Sequence, residues 1–530
     1  MKPKKMSALL FALAAAFAAR AAEFPFAEAT IDDLQARMSA GTLTAHTLTA
    51  AYLARIAEID QAGPKLNAVI ELNPDALAIA DALDAERKAG HVRGPLHGIP
   101  VLIKDNIATA DRMETTAGSL ALVGAKPPRD AYLVTRLREA GAVLLGKTNP
   151  SEWANFRGER SVSGWSGRGG QTHNPYVLDR SPLGSSSGSA VAVAANLCVA
   201  AVGTETTGSI VSPSSVCGIV GVKPTVGLVS RAGVIPIAAS FDTAGPMTRT
   251  VRDAALVLAA LAGADARDAA TQTIPAALSG QLAARPAAGA LKGARIGLVR
   301  GSGSRPDLDA PLDAALEAMR AAGAEVVDLG EFPALATIGT ARIDVMLYEM
   351  KEGMNAYLAE LGAEAPMKTM ADLIKFNDEH WPQEQPLFGQ QYFTRAQAKG
   401  PLTEPAYLDA LEKCRRVTRT EGIDALLEKH RLDALVTLTT GPAALIMPPA
   451  AGDPIFGPKG PGGSGGAAPS AVAGYPSVTV PMAQVSGLPM GLLFYGRAWS
   501  EAKLLALAAD FESHTHARRE PEFLPTVALK

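Results

Sequence analysis

Residues 180–225 read RSPLGSSSGSAVAVAANLCVAAVGTETTGSIVSPSSVCGIVGVKPT. Glycine and serine crowd into two turns, one around Gly184 to Gly188 and one around Thr206 to Ser209, and a run of small apolar residues joins them. That run, 190–202, is rich in alanine and interrupted by Asn196, which suits a helix packed closely inside protein and is too short and too broken to span a membrane. Upstream, 101–103 reads as a short apolar strand, 130–138 as a helix ended by Gly141, and 142–145 as another strand. The same strand–helix–strand rhythm returns at 295–299, 308–321 and 325–328, and strand patterns resume at 432–438, 477–480 and 491–494. Residues 340–430 read mostly helical. The mature chain opens with helices: Thr30 and Asp33 form a capping-box start, Leu48, Tyr52 and Ile56 recur at helical spacing, and a helix over 74–88 stops at Gly90. The pattern predicts an α/β sheet covered by helices, with no polar linker between domains and no internal repeat.

Composition narrows the class of function. The 530 residues are 48% hydrophobic and 19% charged, so a deep core is available and disorder is excluded as the main state. Lys plus Arg number 50 against 53 Asp plus Glu, a net charge of −3, and no run of like charge could track phosphates, which argues against a nucleic-acid partner. The 50 glycines and 37 prolines imply many tight turns and favour an enzyme scaffold over a helical bundle. Cys198, Cys217 and Cys414 are odd in number and lack CxxC spacing, so neither a disulfide framework nor a zinc knuckle is expected; each reads as a packed thiol.

Lys2, Lys4 and Lys5 precede an apolar stretch over 6–19, and Ala19-Arg20-Ala21 places small residues around a cleavage point. Residues 1–22 therefore read as a secretory signal peptide, with the mature chain exported to the periplasm. The apolar stretch is shorter than the roughly 20 residues a membrane span requires, so no stable membrane insertion is expected. The Gly/Pro-rich stretch 455–470 reads as a loop, either a flexible insertion or a gate beside the site.

Two short motifs compete for the function. Gly141 to Thr148 satisfies GxxxxGK[ST] letter for letter, but 142–145 is apolar and strand-like where a phosphate cradle needs a loop with free N–H groups. Gly184 to Gly188 satisfies GxSxG, which would make Ser186 a nucleophile on an elbow, yet His380, His430, His514 and His516 all read as solvated. The scarcity of histidine, and the absence of HExxH, also discourage a metal site.

The long run resembles the amidase signature family. The resemblance extends to GIPVLIKDN from Gly98, GKTNPSEWANF from Gly146 and GPM from Gly245, which absorbs the GKT of the false phosphate loop. Further stretches, among them SGWSGRGGQTHNPY, GSSSGSAVAVAANL, KPTVGLVSR, DTAGPM, LFGQ, AVAGYPS and GLLFYGRAWSE, are similar to the bacterial peptide amidase branch, including its exported form. The likeness covers essentially the whole chain after residue 22. It implies one large α/β/α domain over 23–530 with a central mixed β-sheet, a signature core at about 98–250 and a mostly helical insertion at about 340–430.

The family's chemistry maps residue by residue. It places the nucleophile at Ser209, the bridging serine at Ser185 after a cis peptide bond, and the base at Lys104, with the backbone N–H groups of Thr206, Thr207, Gly208 and Ser209 as the oxyanion hole. Lys104 can be a base only if neutral, so its pKa must fall from about 10.4 towards neutrality through burial at the end of the apolar strand. Asp105, Asn106 and Asp242 read as supports for loops. Leu183, Ser187 and Thr207 stand where many members carry Gly, and Val211 where many carry Arg; the peptide amidases are similar to this chain at most of these positions, so activity is expected.

The resemblance implies hydrolysis of a carboxamide, at the C-terminus of a peptide, to a free acid and ammonia through an acyl-enzyme on Ser209. A broad aliphatic or aryl amidase, and a catalytically inactive amide- or peptide-binding protein, are the alternatives. A tRNA-dependent transamidation subunit is disfavoured by the leader. No cofactor, metal or obligate protein partner is expected; the partner is a small amide or a C-terminally amidated peptide.

Overall fold

A computed structural model describes residues 24–300, 306–332, 335–446 and 466–528. The leader expected over 1–22 and residues 455–465 of the expected loop lie outside them, and from Ala468 that stretch is already a helix, Ala468–Ala473.

The strands are β1 Val69–Leu72, β2 Pro100–Lys104, β3 Val143–Thr148, β4 Trp165–Ser166, β5 Gly170–Gln171, β6 Ala200–Glu205, β7 Val220–Lys223, β8 Thr243–Thr248, β9 Arg295–Arg300, β10 Glu325–Glu331, β11 Ala434–Leu438, β12 Ser477–Val485 and β13 Leu488–Tyr495. Among the described residues, eleven of them form one mixed sheet in the order β1-β3-β2-β6-β8-β7-β12-β13-β11-β9-β10, while β4 and β5 pair separately. β2 lies between β3 and β6, parallel to both, while β6 with β8, β8 with β7 and β7 with β12 pair antiparallel. The α/β class is as expected.

Every residue of β2, β3, β6, β7 and β8 is buried, and apart from Lys104, Lys147, Glu205 and Lys223 these strands carry apolar or small residues with no alternation. The edge strand β10, in contrast, is largely exposed. That uniform burial explains a correction: the run 190–202 is not one helix. The helix Ser187–Ala194 ends there, and β6 begins at Ala200. Helix periodicity and buried-strand composition cannot be told apart in an alanine–valine run.

The helix Ser187–Ala194 is buried along its whole length and packs on β2, β3, β6 and β8. Its small residues permit this approach; a Cβ at Gly188 would stand 2.2 Å from the Ala68 carbonyl oxygen and 2.6 Å from Asn149 N. The helix Ala45–Arg55 packs on β2 and β3, Val251–Leu261 on β6, β7 and β8, and Glu501–Thr515 on β12 and β13. The Thr30–Asp33 capping box forms as expected, with Asp33 N donating to Thr30 Oγ1 at 3.1 Å. A second apolar core joins the helices Ala341–Glu360, Gln391–Gln397 and Pro405–Arg415 to Trp153, Phe156, Ile235, Ile237 and Phe241. The helical region therefore rests on the loops that emerge from the sheet.

Candidate active site

The register of the sheet builds the site. Lys104 ends β2, next to Ile103, which pairs with Val202 of β6, so the end of β6 runs alongside the lysine. Lys104 Nζ lies 2.8 Å from Ser185 Oγ, 2.8 Å from Thr204 Oγ1 and 3.4 Å from the Thr204 carbonyl oxygen, with no solvent exposure. Burial pushes its pKa down to about 7; Asp242 and Glu205 oppose the shift by their charge. Asn106 Nδ2 donates to the same Thr204 hydroxyl at 3.0 Å.

Ser185 follows a cis Gly184–Ser185 peptide bond, as the resemblance implied, and is fully buried. The next residue is engaged elsewhere: Ser186 Oγ donates to the Thr204 carbonyl at 3.0 Å and accepts from Thr204 N at 3.1 Å. A hydroxyl spent on both backbone groups of one residue cannot serve as an elbow nucleophile, so the GxSxG reading falls. The Ser186 N–H donates to the Ser209 carbonyl at 3.1 Å, which fastens the second serine turn against the first. The structure thus brings Lys104 and Ser185 into direct contact and joins Ser209 to them through the backbone; the Ser209 hydroxyl has no hydrogen-bond partner among the described residues.

The turn after β6 is held at both ends. Glu205 Oε2 accepts the N–H groups of Ile210 at 2.8 Å and Val211 at 3.1 Å, capping the helix Val211–Val216. Between those anchors, the N–H groups of Thr206, Thr207, Gly208 and Ser209 have no acceptor among the described residues. Gly208 sits at φ +86°, a conformation a β-branched residue there would strain. Thr207, which stands where many members of the family carry Gly, has no positive φ. Four adjacent unsatisfied donors beside a serine can receive a developing oxyanion.

A cavity of about 210 Å³ adjoins this turn, lined among others by Asn106, Thr204 and Thr206 and by the apolar Ala154, Val234 and Ile237. Among the described residues, no group of three or more His, Cys, Asp or Glu side chains could hold a metal ion, and no helix is long and apolar enough to cross a membrane.

The false phosphate loop is resolved in the same geometry. Lys147 lies inside β3, fully buried, and donates to the Ile107 carbonyl and to Thr115 Oγ1, both at 2.8 Å. The three cysteines are buried and free. Sequence reasoning missed Thr204 and Glu205. Thr204 meets Lys104 only through the pairing of β2 with β6, a non-local fact; Glu205, a carboxylate in an otherwise small-residue run four positions before Ser209, was the available signal.

A sheet of this topology carrying a buried lysine–serine contact beside an open N–H turn defines a class, and the family model for amidase matches residues 47–505. The chain belongs to the amidase family and is an amide hydrolase of the Ser-Ser-Lys kind. It is similar to the native peptide amidase from Stenotrophomonas maltophilia, at 53% identity and a TM-score of 0.87, over 94% of this chain and all of that one. A probable amidase of Arabidopsis thaliana is 41% identical across 94% of this chain and 93% of its own length. The A subunit of the glutamyl-tRNA(Gln) amidotransferase of Roseiflexus castenholzii is 34% identical across 93% of this chain and 96% of its own.

Proposed function

We propose that this amidase hydrolyses the C-terminal carboxamide of peptides to a free acid and ammonia, and that Ser209, Ser185 and Lys104 carry the reaction. One observation supports the residue roles above the others: a fully buried amine, with a pKa of about 7, lies 2.8 Å from Ser185 Oγ. The likeness to a peptide amidase at 53% identity supports the substrate class.

Ser209 Oγ attacks the carboxamide carbon while its proton passes to Ser185 and the Ser185 proton passes to neutral Lys104. The carbonyl oxygen becomes an oxyanion held by the N–H groups of Thr206, Thr207, Gly208 and Ser209. The proton returns along the same path to the amide nitrogen, the C–N bond breaks, and ammonia leaves an ester on Ser209. Water then attacks that ester, giving its proton to the same path, and the carboxylic acid departs with Ser209 reprotonated.

The test is ammonia release from purified mature protein given C-terminally amidated peptides, peptides carrying only internal side-chain amides, and simple aliphatic or aryl amides. Release from the first group alone supports the proposal. Release from simple amides alone overturns the substrate class and favours a broad amidase. No release, with no labelling of Ser209 by a fluorophosphonate, overturns the residue roles and favours an inactive binding protein. Export is proposed on Lys2, Lys4 and Lys5 ahead of the apolar 6–19 stretch; N-terminal sequencing of protein recovered from the periplasm should begin near residue 23, and an intact residue 1 would refute it.

A further inference from the structure

Asp242 has contacts that loop support alone does not account for. Its Oδ1 accepts the Thr206 hydroxyl at 2.5 Å, and its Oδ2 accepts the N–H groups of Ile237 and Ala238, each at 2.8 Å. Thr206 opens the turn of free donors. Ile237 is an apolar residue of the cavity lining, and Asp242 itself lines that cavity. One carboxylate therefore grips the oxyanion turn with one oxygen and the wall of the substrate cavity with the other.

The wall also closes its own turn, the Ala238 carbonyl accepting the N–H groups of Phe241 at 2.9 Å and Asp242 at 2.8 Å. The wall is fixed upstream by Ile235 N donating to the Asn106 carbonyl at 2.9 Å, and downstream by Ser240 N and Oγ donating to Glu349 at 2.8 and 2.6 Å. Between those anchors, the Ile237 and Ala238 N–H groups both end on Asp242. A larger cavity of about 520 Å³ lies near the same segment and shares Pro236 and Ala239 with the first, so the wall has open space on more than one side. The carboxylate's own position is firm: the next residue, Thr243, pairs with Glu205 at the end of β6.

We propose that Asp242 is a positioning residue that transmits the filling of the cavity by the substrate's acyl side chain to the oxyanion turn. The inference rests on the residue roles given under Proposed function. A side chain that presses on Ile237 moves the N–H groups that Asp242 holds, and the same carboxylate sets Thr206. The misplacement of a reacting group by about 1 Å can cost on the order of 10²-fold in rate, so a small shift of this linkage suffices.

Charge supplies an independent readout. Asp242 and Glu205 are the two carboxylates that favour the ammonium form of Lys104, whose other neighbours, Ser185, Thr204 and Asn106, are neutral. Arg231 is the cation that faces Asp242, and Thr206, Ile237 and Ala238 supply its hydrogen bonds. Removing the Asp242 charge while keeping its shape therefore makes Lys104 easier to deprotonate.

The experiment compares wild type, Asp242→Asn and Asp242→Ala on two series in which the acyl group grows from glycyl to leucyl to phenylalanyl: dipeptide amides, and the corresponding simple amides. Asp242→Ala is expected to lower kcat about 10²-fold for the acyl groups that fill the cavity and about tenfold or less for the glycyl ones. Asp242→Asn, which can present an oxygen to the two N–H groups and an N–H to Thr206, is expected to recover most of that loss and to move the acid limb of kcat/KM to lower pH. Equal losses across the series, or an unmoved acid limb in Asp242→Asn with folding intact by circular dichroism, would overturn the proposal while leaving the residue roles standing. Failure of wild type to acylate Ser209 overturns both.

Discussion

Lys104 and Lys147 stand on neighbouring parallel strands, both without solvent exposure and both with pKa values driven down by burial, to about 7 and about 8. The register separates them. Ile103 pairs with Lys147 and Lys104 pairs with Thr148, so the lysines occupy consecutive positions along the sheet and project to opposite faces. On one face the amine meets Ser185, on a turn fastened to Ser209. On the other it meets the Ile107 carbonyl and Thr115, with Asp105 as the largest opposing charge. A third buried lysine, Lys223, also has a pKa of about 8 and donates only to the Pro224 carbonyl. A perturbed lysine is therefore no evidence of a base by itself; a hydroxyl within reach that can relay a proton to a second hydroxyl is.

The largest test of that contrast is on rate. Lys104→Ala should lower kcat by about 10⁴-fold or more, since triad members act as a unit and the loss of one forfeits most of the shared effect. Lys147→Met should leave kcat within about tenfold of wild type, because what it removes is a donor to a loop carbonyl, a structural contact of ordinary strength. Initial rates of ammonia release with both variants check the pair. Comparable losses at the two positions would erase the distinction drawn from the register.

Half of this comparison was legible before any coordinates. VLIK announced a lysine ending an apolar strand, and the long Gly/Ser run announced two serine turns. The phosphate-loop match at Lys147 fails in the sequence because 142–145 is strand-like, and β3 extends through Thr148. What stayed hidden is what depends on register across long separations. That Thr204 meets Lys104 and that Asp242 reaches Thr206 follow from the pairings of β2 with β6 and of β6 with β8, about which no local pattern speaks. β6, β7 and β8 themselves escaped notice as strands, because fully buried strands rich in glycine and small residues show no alternation.

A smaller effect should appear in the pH–rate profile. Lys104 acts only when deprotonated, so kcat/KM should be flat above about 7 on the acid side and fall about tenfold for each unit below it. Lys147→Met should leave that limb in place, since the group it removes is not the one being titrated. A limb that moves with Lys147, or a profile with no acid limb between pH 5 and 8, would assign the titration to another group.

The smallest effect concerns stability and separates the lysines by pH window. In the unfolded chain both titrate near the ordinary lysine value of 10.5, while the folded protein holds them at about 7 and about 8. Between its folded and unfolded values, each lysine binds more protons in the unfolded state, so wild-type stability gains with rising pH relative to a variant lacking that lysine. Below the folded value the penalty for burying the ammonium is fully present, and above 10.5 it has vanished. Urea midpoints of Lys104→Met and Lys147→Met, each taken against wild type from pH 6 to 11, should therefore both drift in favour of wild type. The drift should begin at lower pH for Lys104, whose folded value lies below that of Lys147, and reach the larger total. A Lys104→Met difference that stays constant with pH would mean that this amine keeps its solution pKa in the folded protein, and a permanently charged Lys104 cannot accept the Ser185 proton.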